Sequence, residues 1–107
     1  MKLERKEEKA KEAVYFWGTA GDGVQLLVFR GASRKEAIER MQTFIKFLPV
    51  GPGTKRKDIG EEAYSWESDN TDFAGIRFRK GKVFIDLVAP KDMTEDLARD
   101  LAKLIKN

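Results

Sequence analysis

One stretch of alternating residues, at positions 74–90, constrains the fold of this chain more than any other feature. Ile76 and Phe78 alternate with arginines, Gly81 follows, and apolar side chains then recur at every second residue from Val83 to Leu87. Period-two alternation around a glycine-containing turn predicts a β-hairpin. We therefore interpret the other segments as strands that extend this hairpin or helices that cover it.

Length and composition predict a single globular domain. The chain has 107 residues, of which 41% are hydrophobic and 36% charged, so it has enough apolar surface for one core. We assign residues 13–107 to this domain and interpret the highly charged residues 1–12 as an N-terminal helix or a solvated tail. The net charge is +3, and the high content of Lys, Glu and Arg favours a thermophilic source.

The sequence contains no histidine and no cysteine, which restricts its chemistry. Disulfides, thiolate nucleophiles, Ser-His-Asp or Cys-His catalysis and zinc or haem sites with these ligands are excluded. We therefore expect a protein that is not an enzyme, with no catalytic residues, no cofactor and no metal site. Asp69, Asp72 and Asp86 are candidate ligands for a hard cation, but acidic turns of this kind are typical of ordinary backbone turns.

Two segments have the apolar spacing of amphipathic helices. The first covers residues 33–48, where Ser33 and Glu36 have the spacing of a capping box. The second covers residues 92–106, with Asp92 at the expected N-cap position. Each helix therefore has one apolar stripe to bury.

Strand patterns occur at residues 14–17, 24–30 and 61–68, in addition to the hairpin. The resulting order, ββαβββα, predicts an α+β fold with an antiparallel sheet of about five strands. We expect both amphipathic helices on one face of this sheet. That face is expected to contain Tyr64, Trp66, Ile76, Phe78, Val83, Ile85 and Leu87.

The opposite face of the predicted sheet retains apolar residues as well. Leu27, Phe29, Phe84 and Val88 fall on this face if their neighbours point inward. Soluble monomers rarely expose a large continuous apolar patch, so something is expected to cover these four residues. The alternatives are an intramolecular lid, a protein partner or a second copy of the chain, which would make a homodimer.

Basic residues cluster in the loop before the third predicted strand and in the hairpin. One interpretation is mutual neutralisation, with Glu67 opposite Arg77 or Arg79 on a paired strand. The other is a site for an anion, a nucleic acid or an acidic partner. Its candidate contacts are Lys55, Arg56, Lys57, Arg77, Arg79, Lys80 and Lys82.

The second half of the chain resembles a poorly characterised family of small domains in prokaryotic lipoproteins and secreted proteins. The resemblance rests on IGEEAY at residues 59–64, IRFRKGKV at residues 76–83 and LAKLI at residues 101–105. The family pattern is IGDEAY…IxFRKGNVVV…LAKxI, so this chain departs from it at Glu61 and Lys82. The resemblance implies an α+β domain outside the cytoplasm, and no function is known for the family.

These observations lead us to expect a non-enzymatic binding or accessory domain that docks a protein partner or a second copy of itself. The alternative is binding of a nucleic acid or an acidic partner through the basic residues. No apolar run is long enough to span a membrane, and the first residues lack a signal-peptide core. The compartment therefore stays undetermined, and an extracytoplasmic location would require a leader upstream of the printed sequence.

Overall fold

The elements of the fold follow in chain order in the computed structural model, which describes residues 3–18, 23–48, 51 and 53–105. Strands and helices alternate in a pattern that places one helix in the middle of the chain and one at its end. The elements are β1 (Leu3–Glu8), β2 (Glu12–Trp17), β3 (Val24–Arg30), α1 (Arg34–Lys46), β4 (Thr54–Arg56), β5 (Glu62–Glu67), β6 (Phe73–Lys80), β7 (Val83–Pro90) and α2 (Lys91–Leu104).

The strands of the described residues form one antiparallel sheet in the order β1-β2-β3-β7-β6-β5-β4. The predicted hairpin is β6–β7, in which Lys80 pairs with Val83 across the turn. Gly81 has a φ of 57°, a left-handed conformation that glycine adopts without a Cβ clash. The α+β class and the antiparallel sheet are thus confirmed, but the prediction of about five strands in ββαβββα order missed β1 and β4.

Residues 3–8 form a strand, so the expectation of a helix or tail there is wrong. β1 pairs with β2, with Lys6 opposite Tyr15 and Glu7 opposite Val14. An edge strand needs backbone hydrogen bonds on one side only, and charged residues along it discourage pairing with other chains. The same reasoning applies to β4, which pairs with β5 inside a predicted loop.

The two helices pack on opposite faces of the sheet, which corrects the prediction that they share one face. α1 covers Phe29 and Phe84 through Met41 and Phe44, and the rings of Phe44 and Phe84 are 5.5 Å apart. The cause lies in β7, whose residues are buried on both sides, so each side requires its own cover. The sheet is therefore the middle layer of three.

The face beneath α2 carries the larger apolar cluster. Tyr64 and Trp66, which were predicted to lie on it, instead share the α1 face, because they pair with Arg77 and Gly75 across β5 and β6. The Trp66 ring lies directly over Gly75, because a Cβ at that position would be 2.2 Å from the indole nitrogen. The buried members of the α2-side cluster are Val24, Leu26, Ile59, Ala63, Ile76, Phe78, Val83, Ile85, Leu87, Ala89 and Ala98.

The two helix starts differ in how closely they follow the sequence prediction. Ser33 is the N-cap of α1, as predicted, and its Oγ accepts a hydrogen bond from the Glu36 N–H at 3.2 Å. α2 begins earlier than predicted, with Pro90 at the N-cap and Asp92 inside the first turn. Because proline fixes φ and the Thr94 hydroxyl donates to the Pro90 carbonyl at 2.9 Å, the chain turns directly from β7 into α2.

Truncation of Phe84 tests whether α1 covers its face of the sheet. Phe84 is completely buried and Phe47 is 77% exposed, so the two residues form a matched pair. We expect Phe84→Ala to lower the free energy of unfolding by about 3–5 kcal/mol and Phe47→Ala by less than about 1 kcal/mol. Urea denaturation measures both values, and equal losses would contradict the packing of α1.

Candidate functional site

The apolar residues predicted to form an interface lie mostly beneath α1. Phe29 and Phe84 are buried, and Leu27 packs against the same cluster. Val88 is partly buried at the register position beside Gln25 and Gly75, on the same face of β7 as Phe84. The intramolecular cover is thus the chain's own central helix, and the predicted interface is corrected accordingly.

Two of the predicted basic contacts, Arg77 and Arg79, are buried rather than available to a ligand. Arg77 lies opposite Asp86, with its Nε 3.4 Å from Asp86 Oδ1, and its guanidinium is 5.6 Å from the Phe44 ring. Burial raises the pKa of Asp86, and the neighbouring Arg77 charge and hydrogen bond lower it in opposition. Glu67 pairs with Ala74, so the prediction that it faces Arg77 or Arg79 is wrong.

Arg79 belongs to a cluster that joins the hairpin turn to β5. Glu61 accepts hydrogen bonds from the Gly81 N–H at 2.8 Å and from Arg79 Nη1 at 3.1 Å, and Arg34 approaches it at 3.4 Å. The Gly81 hydrogen bond, followed by the arginines, lowers the pKa of Glu61. This cluster holds the hairpin turn in place, and in it Arg79 binds Glu61 rather than a ligand.

Arg56 and Lys80 also have partners within the chain. Arg56 bonds Asp58 at 2.6 Å and contacts Glu95 on α2, while Lys80 Nζ donates to the Ala102 carbonyl at 2.8 Å. The hydrogen bond from Arg56 is the main reason that the pKa of Asp58 is lowered. Of the seven predicted basic contacts, the exposed ones are Lys55, Lys57 and Lys82.

An open apolar feature lies on the other face of the sheet, beside α2. A cleft of about 280 Å³ runs between this helix and strands β2 and β3, and Leu101 also lines an adjoining cleft of about 220 Å³. We call the two clefts together the α2 groove. Its apolar lining consists of Trp17, Val24, Leu26, Val28, Val83, Ile85, Leu87, Met93, Leu97, Leu101, Leu104 and Ile105.

The groove exists because one helix is too narrow for this sheet. α2 starts directly after β7 and packs on β6 and β7. A helix is about 10 Å wide and strands are about 4.8 Å apart, so one helix covers roughly two strands. The side of β3 and β2 that faces α2 is thus left partly open, and we call these two strands the wing.

An aromatic pair borders the groove on the β2 side, where Trp17 lines the cleft and Tyr15 lies next to it. The rings of Tyr15 and Trp17 stack with centroids 5.6 Å apart, and Lys6 Nζ lies 5.2 Å from the centre of the Tyr15 ring. Both rings are partly exposed, and Leu104 at one end of the groove is 75% exposed. This part of the fold therefore exposes large apolar surfaces.

Sequence reasoning missed the groove, although it identified residues 14–17 as an apolar strand. In β2 the residues of both faces are apolar, so alternation assigned no face to Tyr15 and Trp17. Their position became apparent only from the register, in which Tyr15 pairs with Leu26 and Trp17 with Val24. The aromatic pair at i and i+2 was the available signal, since such residues share one side of a strand.

Side chains that bind metal ions are not clustered in the described part of the chain. Within residues 3–18, 23–48, 51 and 53–105, no three acidic side chains lie together in a way that could hold a metal ion. The helices of this part are also too short or too polar to cross a bilayer.

Comparison with known proteins gives no further assignment. No family model, no curated protein and no solved structure matches this chain. Candidate functions must accordingly be argued from the groove and the surface charges themselves.

The Glu61 cluster makes a prediction about pH. A carboxylate whose pKa is lowered by folding stabilises the protein above its unfolded pKa of about 4.3, and this contribution is lost as the pH falls. We expect Glu61→Gln to be less stable than the wild type at pH 7, by up to about 1 kcal/mol, with the difference shrinking below about pH 4. Glu67→Gln, an exposed position on β5, serves as the control in urea denaturation, and a pH-independent difference for Glu61→Gln would contradict this role.

Proposed function

We propose that this chain is a non-enzymatic binding domain that docks a protein partner through the α2 groove. The observation that carries the proposal is an apolar cleft bordered by the Tyr15–Trp17 stack and by the exposed side chain of Leu104. Burial of such side chains is favourable by about 25 cal/mol per Å², so docking would gain free energy from surface that the fold leaves open.

The composition supports a binding role rather than catalysis. Catalytic acid–base and nucleophilic chemistry most often uses histidine or cysteine, and the sequence has neither. The one carboxylate that the described fold encloses, Asp86, is held by Arg77 beneath α1 and lies away from the groove. A contact surface needs none of these groups, only shape and apolar area.

Binding of an apolar dye tests whether the groove accepts a ligand. We expect 1-anilinonaphthalene-8-sulfonate to bind the folded wild type, and Leu97→Gln to weaken this binding about tenfold because a leucine contact is worth about 1–2 kcal/mol. Phe47→Gln is the control, since Phe47 is a large apolar residue that is 77% exposed but lies at the end of α1, outside the groove. Dye fluorescence measures binding, and circular dichroism verifies the fold.

Two results would contradict the groove as a binding surface. One is a folded wild type that does not enhance dye fluorescence at all. The other is an equal loss of dye binding in Leu97→Gln and Phe47→Gln. If Leu97→Gln does not fold, Met93→Gln, on the same wall of the groove, replaces it.

A second candidate function is binding of a nucleic acid or another polyanion. The specific observation in its favour is the exposure of Lys55 and Lys57 on either side of Arg56 at the β4 edge of the sheet. If this function applies, a fluorescent single-stranded oligonucleotide should bind at low salt, and the double variant Lys55→Glu/Lys57→Glu should weaken binding at least about tenfold. Absence of binding at low salt would exclude it.

A further inference from the structure

We infer that the occupant of the α2 groove is an amphipathic helix of a protein partner, with acidic residues at the end that meets Arg30 and Lys82. This inference rests on the proposed function and specifies its ligand. Three observations support it: the fully paired backbone of the strands on the groove floor, the dimensions of the wing and the charges at one end of the groove.

The groove floor favours a helix over an extended peptide. The backbones of β2, β3 and β7 are paired with one another along their length, from Glu12–Phe29 to Gln25–Val88. An extended peptide on this floor would find no free backbone partners, and its own N–H and C=O groups would lose water without replacement. A helix satisfies its backbone internally and can bury an apolar stripe in the groove.

The wing has the footprint of one helix. Its two strands, about 4.8 Å apart, take up roughly 10 Å of the sheet, which equals the width of a helix and the usual distance between packed helices. β2 and β3 contain six and seven residues, so each is about 20–23 Å long. The 14 residues of α2 extend over about 21 Å, so a second helix of similar length fits beside it.

Charges distinguish the two ends of the groove. Arg30 and Lys82 line the end where α2 finishes, and both are exposed. Arg30 has no ion pair among the described residues, and its side of β3 faces the groove together with Val28. The start of α2 instead carries one exposed basic and three exposed acidic residues, Lys91, Asp92, Glu95 and Asp96. A partner helix is therefore complementary if its acidic residues lie beside Arg30.

A second copy of this chain fits the groove less well. Its most amphipathic helix, α2, already uses its apolar stripe on its own sheet. The outward positions of that helix, which would meet Trp17 of the other copy, include the exposed residues Asp96, Arg99 and Lys103. Placing these charges on an apolar wall would cost desolvation without a compensating partner, so a different protein is the better occupant.

Two synthetic helical peptides test the inference on the intact protein. Each has about 14 residues, with leucines at i, i+3, i+4 and i+7 spacing, a fluorescein label and either glutamates or lysines in the last turn. We expect fluorescence polarisation to show that the glutamate peptide binds the wild type at least about tenfold more tightly than the lysine peptide. Arg30→Glu should reverse this order, and the preference should decrease at high salt.

Lys35→Glu is the matched control, because Lys35 is exposed on α1, which packs on the other side of the sheet. It makes the same change of charge and should leave the preference for the glutamate peptide intact. Equal effects of Arg30→Glu and Lys35→Glu would overturn the assignment of the basic end, as would equal binding of the two peptides to the wild type.

The remaining outcomes separate this inference from the proposed function. Dye binding without binding of either peptide would overturn the helical occupant while leaving the groove as a binding surface. Failure of both dye and peptides would overturn the proposed function as well. Sedimentation that shows a dimer of the wild type, abolished by Leu97→Gln, would identify a second copy as the occupant and contradict a separate partner.

Discussion

The fold depends on the fact that β7 is buried on both sides. Val83, Ile85 and Leu87 point to one face of the sheet, and Phe84 points to the other with Asp86. A central strand of this kind requires a covering layer on each face, because exposed apolar area of that size is costly in water. The chain provides one helix for each face, α1 and α2, and the three-layer arrangement follows.

The two helices cover their faces of the sheet to different extents, and this difference accounts for the groove. α1 closes over aromatic residues and an ion pair, so that Arg77 and Asp86 are protected from water beneath Phe44. Buried pairs of this kind contribute little net stability, but removal of one partner is strongly destabilising. α2 covers a mostly apolar face, yet only its β6–β7 part, and the aromatic residues of β2 remain partly exposed.

Local patterns in the sequence predicted both helices and five of the strands, but not the placement of the helices. The hairpin, the Ser33 cap and the strand at 24–30 followed from alternation and capping chemistry, and they are confirmed. β1 was missed because its charged residues lack an apolar period, although backbone pairing with β2 is enough to form it. The side on which each helix packs depends on long-range register, which a single sequence does not specify.

The candidate site also depends on long-range register, which a single sequence does not specify. The need for a cover over Phe29 and Phe84 was recognised from the sequence, but the cover is α1, which had been assigned to the other face. The basic residues of the hairpin alternate with apolar ones, so their side of the strand was predicted to be polar and exposed. Their actual partners, Asp86 and Glu61, come from β7 and from the residue before β5.

The most direct test of this account is a nuclear Overhauser experiment on the folded protein, which reports which side chains lie within about 5 Å of one another. We predict contacts between the rings of Phe44 and Phe84, and separate contacts between Leu87 and the α2 side chains Met93 or Leu97. Contacts from α1 side chains to Ile85 or Leu87 would place both helices on one face and contradict the three-layer fold and the open groove.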